Sequence, residues 1–206
     1  KALSLDHPGV AQSLNNLSSI FFKQGRYAEA ESLSRRALAI LEKVFGPNHP
    51  KVALRLNNLA VLFKNQGHYA EAEVHYQRAL EISENIHGPD HSDVATSLHN
   101  LANLYRKQGR YAEAESLYQR ALVIRKKFLS PEHPDLAKSL HNLAVLYNNQ
   151  DRYAEAIMMS RRSIDILRLR FSEGFGELTE GVWSEQQKSS SKFHKVFQIL
   201  LKFNRF

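Results

Sequence analysis

The chain has 206 residues, with 28 Lys+Arg against 21 Asp+Glu, ten histidines, no cysteine, a net charge of +7 and a pI near 9.6. The missing cysteine excludes a disulfide framework, a thiolate nucleophile and a sulfur-rich zinc site, and a reducing, cytoplasmic setting is expected. No apolar run reaches the ~18 residues of a membrane span, the N-terminus lacks the regions of a signal peptide, and the basic excess points to acidic partners.

Displaced against itself by 42 residues, the sequence brings Asn16, Asn58, Asn100 and Asn142 into register, and with them Ala30, Ala72, Ala114 and Ala156. An internal period of ~20–50 residues marks a solenoid, in which each unit buries its apolar face against its neighbours. Lys1 to Leu5 read as the end of a preceding unit, and the array is expected over residues 1–171, in units of about 6–47, 48–89, 90–131 and 132–171. Residues 1–170 hold 23 Lys+Arg against 17 Asp+Glu, so the positive excess belongs to the repeats.

Each unit opens at a turn: Asp6-His7-Pro8, Gly46-Pro47-Asn48-His49-Pro50, Gly88-Pro89-Asp90-His91-Ser92 and Ser130-Pro131-Glu132-His133-Pro134. Proline suits the first helical turn, and Asp or Asn just before it can satisfy a free amide. From there apolar residues recur at three- and four-residue intervals, as along Val94, Ala95, Leu98, Leu101, Ala102 and Tyr105, the stripe of an amphipathic helix. This helix A is expected over about 8–23, 50–65, 92–107 and 134–149. Gly25, Gly67 and Gly109 end it, with Asp151 in the fourth unit as a poorer left-handed residue. Helix B follows at about 27–44, 69–86, 111–128 and 153–170, and its repeated alanine, at 114 for example, leaves room for close approach to helix A.

The register fails at Phe175, where a fifth turn is due. Gly174, Gly176 and Gly181 make 172–191 an expected flexible connection, and Phe193, Val196, Phe197 and Leu200 share one face of an expected amphipathic helix over 192–206 that caps the stack. A basic amphipathic helix of this kind can also lie on a membrane surface, the weaker expectation.

Leu98, Leu101, Ala102, Tyr105, Gly109, Tyr111, Ala114, Tyr118 and Ala121 form a pattern that resembles the tetratricopeptide repeat. The unit of 42 residues, longer than that family's usual 34, is similar to the repeats of kinesin light chain and its bacterial relatives. The resemblance covers about 6–170 and implies an all-α, right-handed superhelical solenoid of four helical hairpins. Ser18, Ser34, Ser160, Ser163 and Asp151 depart from the pattern and weaken the first and fourth units.

An enzyme needs a nucleophile with its base, shielded paired carboxylates, a phosphate cradle or a metal cluster, and no such constellation is visible. No catalysis and no cofactor are expected. His7, His49, His91 and His133 recur once per unit, and stacked units separate them by ~10 Å, too far for one ion. They read as turn residues. His87 and His91 straddle one turn and can meet, but two ligands without a third do not define a metal site.

Asparagine is a mediocre helix former, so Asn16, Asn58, Asn100 and Asn142 in mid-helix require a reason. Either these amides bridge neighbouring helices, or they line a concave groove and bond the backbone of an extended peptide. The family resemblance implies the second. Neighbours at three or four positions share their face: Lys23, Asn65, Asn103, Lys107, Lys138 and Asn149 among the polar ones, with Lys64, Arg106, His99 and His141 at the edge. Such a face suits an acidic peptide with a hydrophobic anchor.

The expected function is a protein-interaction scaffold. Two alternatives belong to other classes: a nucleic-acid-binding array, disfavoured because the most regular polar register is neutral asparagine, and a regulatory segment of a larger enzyme. Residues 177–185, with Trp183 among three glutamates, are loosely similar to the tryptophan-acidic peptides that kinesin light chain repeats bind, and are expected to be able to occupy such a groove.

Overall fold

The computed structural model describes residues 6–174. Among the described residues there are eight helices and no strand: α1 Pro8–Lys23, α2 Tyr27–Phe45, α3 Pro50–Gln66, α4 Tyr69–His87, α5 Ser92–Lys107, α6 Tyr111–Phe128, α7 Pro134–Asn149 and α8 Tyr153–Gly174. Odd-numbered helices are the A helices of the repeat and even-numbered ones the B helices. The A helices α1, α3 and α5 each pack on the B helix that follows, α2, α4 and α6 each pack on the next A helix, and Ser163 of α8 bonds Ala137 of α7, an all-α repeat solenoid.

The turns work differently in detail from the sequence expectation. Histidine is the cap: His7, His49, His91 and His133 each accept, at Nδ1, the backbone N–H two residues ahead, at 3.0, 3.2, 3.2 and 3.1 Å. The acidic residues before the histidine instead hold the end of the B helix of the same unit, Asp6 through Lys43 of α2 and Asp90 through Lys127 of α6. Gly67 closes α3 at φ 84°, and Asp151 takes φ 59° after α7, a conformation its short polar side chain tolerates.

The expected alanines are in the core. Ala30, Ala72 and Ala114 are fully buried, and Ala156 nearly so. Tyr76 and Tyr118 are the largest fully buried side chains. In the first unit, serine stands at both Ser18 and Ser34, and the two departures from the pattern answer each other: their hydroxyls lie 2.7 Å apart, and Ser18 also donates to the Ala30 carbonyl. Ser163 likewise donates to the carbonyl of Ala137, at 2.8 Å.

One compact unit ends at Ile166 and a second begins at Leu167, of which the last turns of α8 are described. α8 runs through residues 172–174, the first three of the expected connection. Once a helix is nucleated each further residue adds a hydrogen bond at little cost, and Gly174 is the first glycine after the register of the repeat is complete. The rest of that connection, the helix at 192–206 and the segment 177–185 lie outside the described residues.

Candidate functional site

The A helices follow one another, and their polar registers meet. Asn58 on α3 donates through Nδ2 to Oδ1 of Asn15 on α1 at 3.1 Å, Asn100 on α5 to Oδ1 of Asn57 on α3 at 3.5 Å, and Asn142 on α7 to Nε2 of His99 on α5 at 2.8 Å. Each bond spans 43 residues, so the asparagine of one unit reaches the residue just before the asparagine of the previous one. Asn16 has no earlier unit to reach among the described residues and accepts from Gln12 at 2.9 Å. The amides therefore bridge A helices, one of the two roles the sequence left open. For Asn58, Asn100 and Asn142 this occupies one donor and leaves the side-chain carbonyl without a protein partner among the described residues.

The other candidates divide by their partners. Asn103 accepts the hydroxyl of buried Tyr118 at 2.7 Å, and Asn65 is turned back onto the Val61 carbonyl of its own helix. Asn149, Lys23 and Lys107 are exposed, and Lys138 pairs with Asp135 at 2.9 Å. Lys64 and Arg106 are half-buried. Burial lowers the pKa of Lys64, and the charges of Lys107 and Arg106 lower it further, so the three cations of α3 and α5 form one cluster. His141 on α7 joins it: its pKa is lowered by burial and by Arg106.

No carboxylate balances this cluster. Among the described residues neither Lys64, Arg106 nor Lys107 has an acidic partner, and Nε of Arg106 is buried without a hydrogen bond. The glutamates are spent elsewhere, on cations of the B helices and on residues at their starts: Arg78–Glu42 and Arg120–Glu84 at 2.7 Å, Arg110–Glu73 at 2.7 Å and Arg152–Glu115 at 2.6 Å. Uncompensated half-buried cations cost stability, and they bind an anion without first breaking an ion pair.

Two contributors were not singled out from the sequence. Arg55 occupies a register otherwise filled by Ser13, Ser97 and Ser139; burial lowers its pKa, its Nη2 donates to Gln12 at 2.6 Å and its Nε is buried without a partner. The signal available was one arginine in a serine register. His99 appeared only as an edge residue, yet it is the Asn142 acceptor, and burial, reinforced by Arg125 with Nη1 3.3 Å from Nδ1, holds its pKa down to about 4.

Four helical hairpins stacked through matching registers, with cations and amides on the A helices, define an α-helical repeat protein. The chain belongs to the tetratricopeptide repeat family, whose profile matches residues 9–85, 56–127 and 93–168. Among solved structures it is similar to BtubC (BKLC) from P. vanneervenii, at 26% identity and a TM-score of 0.71, with 84% of this chain and 68% of that one covered. It is also similar to a putative kinesin light chain with nearly identical repeats from P. anserina, at 26% identity and a TM-score of 0.66, with 81% and 79% covered. A single-substitution form of the latter gives 27% identity and a TM-score of 0.68, with 80% and 78% covered. No curated protein matches the sequence.

Proposed function

We infer that this array is a protein-interaction scaffold whose A-helix face takes an extended acidic peptide. Tetratricopeptide repeats generally mediate protein–protein interaction and are typically non-enzymatic, and no described helix is long and apolar enough to cross a membrane. The acidic ligand is the finer reading, and one observation carries it: the Lys64, Arg106 and Lys107 cluster has no carboxylate of its own, while Arg106 keeps a buried unbonded Nε. An aspartate or glutamate of a ligand supplies the missing acceptor, and the free carbonyls of Asn58 and Asn100 accept N–H groups from its backbone. A cytoplasmic setting goes with this reading, as does occupation of the same face by residues 177–185.

The test is a titration of the full chain with fluorescent peptides of about ten residues, one carrying several glutamates around a tryptophan and one carrying lysines in their place. The acidic peptide binds, moderately weakened by salt because main-chain hydrogen bonds are not screened. Single-stranded RNA is the comparison arm, and its affinity collapses as salt rises if it contacts only the charges. Equal binding of the acidic and basic peptides, or a preference for RNA at physiological salt, overturns the reading.

A further inference from the structure

The turn between α4 and α5 holds three potential metal donors that the other turns do not. His87 ends α4, His91 caps α5 and Asp93 lies in the first turn of α5. His87 Nε2 is 3.5 Å from Asp93 Oδ2, His91 Nδ1 is 3.6 Å from the same oxygen, and the two imidazole rings stack with centroids 4.3 Å apart. One donor atom from each residue lies within 4.8 Å of the others, and among the described residues this is the one such group. Two ligands of a tetrahedral zinc ion, each ~2.0–2.1 Å from the metal, are ~3.3 Å apart, so two of the three edges are already close to length.

The repeat supplies its own controls. At the register of His87 the neighbouring units carry Phe45 and Leu129, and at the register of Asp93 they carry Lys51 and Asp135. Phe45 stacks on His49 at 4.6 Å with Lys51 over its ring, an apolar clamp with no carboxylate. His133 and Asp135 are 3.8 Å apart but lack a second histidine. The turns after α2 and α4 thus both close B helix onto A helix with a ring contact at this register, and among the described residues only the second is made of ligands. An imidazole in place of an apolar side chain forfeits burial, which a metal would offset.

We propose that His87, His91 and Asp93 form a zinc site that clamps the second unit to the third. A bound ion takes Nε2 of His87, one carboxylate oxygen of Asp93 and a ring nitrogen of His91, with water in the open fourth position. If the His91 ligand is Nδ1, coordination replaces its 3.2 Å capping bond to the Asp93 amide. The ion sits between the negative C-terminal end of α4 and the positive N-terminal end of α5, so the helix dipoles largely offset. Asp90 in the same turn is engaged by Lys127 at 2.5 Å and is not counted as a ligand.

Zinc chloride titrated calorimetrically into the chelator-treated full chain tests this, with Co²⁺ absorption as the coordination readout. The variants are His87→Phe and Asp93→Lys, each placing at this turn what the preceding turn already carries, so the hairpin has a precedent for folding. Wild type binds one equivalent with Kd below about 100 µM, and each variant weakens it at least ~10-fold, the loss seen even when a supporting group of a metal ligand is removed. Should either fail to fold, Asp93→Asn on an exposed carboxylate decides the same way. Absence of saturable binding to wild type, or the same affinity and stoichiometry in the variants, overturns the proposal.

Discussion

The carboxylate of Glu73 on α4 accepts the hydroxyl of Tyr105 on α5 at 2.9 Å, joining the B helix of one unit to the A helix of the next. Arg110, at the start of α6, adds a 2.7 Å bond to the same carboxylate and lays its guanidinium over the Tyr105 ring, 3.8 Å from the centroid. The triad recurs one unit later as Glu115, Tyr147 and Arg152. It is missing one unit earlier, where Glu31, Phe63 and His68 hold these registers and Glu31 accepts from Arg35 of its own helix at 2.9 Å and from Gln66 at 3.4 Å.

Tyr105→Phe isolates the hydroxyl, since Phe63 shows that the ring alone fits this register. The expected cost is about 1 kcal/mol, the scale of one hydrogen bond, or a fall of about 2–4 °C in melting temperature. Urea unfolding of the variant measures it. An unchanged midpoint would show that the stack does not depend on this link.

The two buried tyrosines of the B helices predict opposite effects of one substitution. Tyr118 donates to Asn103 at 2.7 Å, whereas the hydroxyl of Tyr76 is buried without a partner because Val61 occupies the register of Asn103. Tyr118→Phe should lower stability by about 1 kcal/mol, and Tyr76→Phe should raise it by a similar amount by removing an unsatisfied polar group. Parallel denaturation curves decide; losses of equal size in both variants contradict the assignment.

Acid sensitivity follows from His99. Its pKa in the fold is held down to about 4, against 6.5 for the free side chain. Between those values the unfolded chain takes up a proton that the folded chain refuses, so stability is full above pH 6.5 and falls as pH drops toward 4, by on the order of 2–3 kcal/mol from this residue. Asn15 and Asn57 occupy the same register, so His99→Asn should keep a partner for Asn142 and flatten the dependence. Residual slope is expected from His75 and His141, whose pKa values burial also lowers. Melting temperatures of both proteins from pH 7 to 4 provide the check.

On the A-helix face, Asn58→Ala and Asn100→Ala should each weaken the acidic peptide by about 1–2 kcal/mol with helicity by circular dichroism intact. Asn58→Ala is the cleaner, because its partner Asn15 is only part-buried while Asn100 satisfies buried Asn57. Lys64→Met should weaken the same peptide and relieve repulsion with Lys107 and Arg106. A variant that loses helicity assigns its asparagine to holding the stack and not to the ligand.

The one-dimensional sequence determined the period, the eight helices and most of their ends, because helix starts, stops and apolar stripes are local: a proline, a glycine or a three-to-four spacing acts within a few residues of itself. It also marked the asparagine register and the small residue at each A–B contact. What it left open was the partner of each polar group, since those partners lie 32, 37 or 43 residues away and fall into reach only when units stack. Register analysis placed Asn142 in the ladder, but only the stacked helices turn it to His99. The three cations at 64, 106 and 107 are similarly unremarkable along the chain. Tertiary structure brings them together, because α3 comes against α5, while the nearby glutamates are committed to cations of the B helices and of their starts.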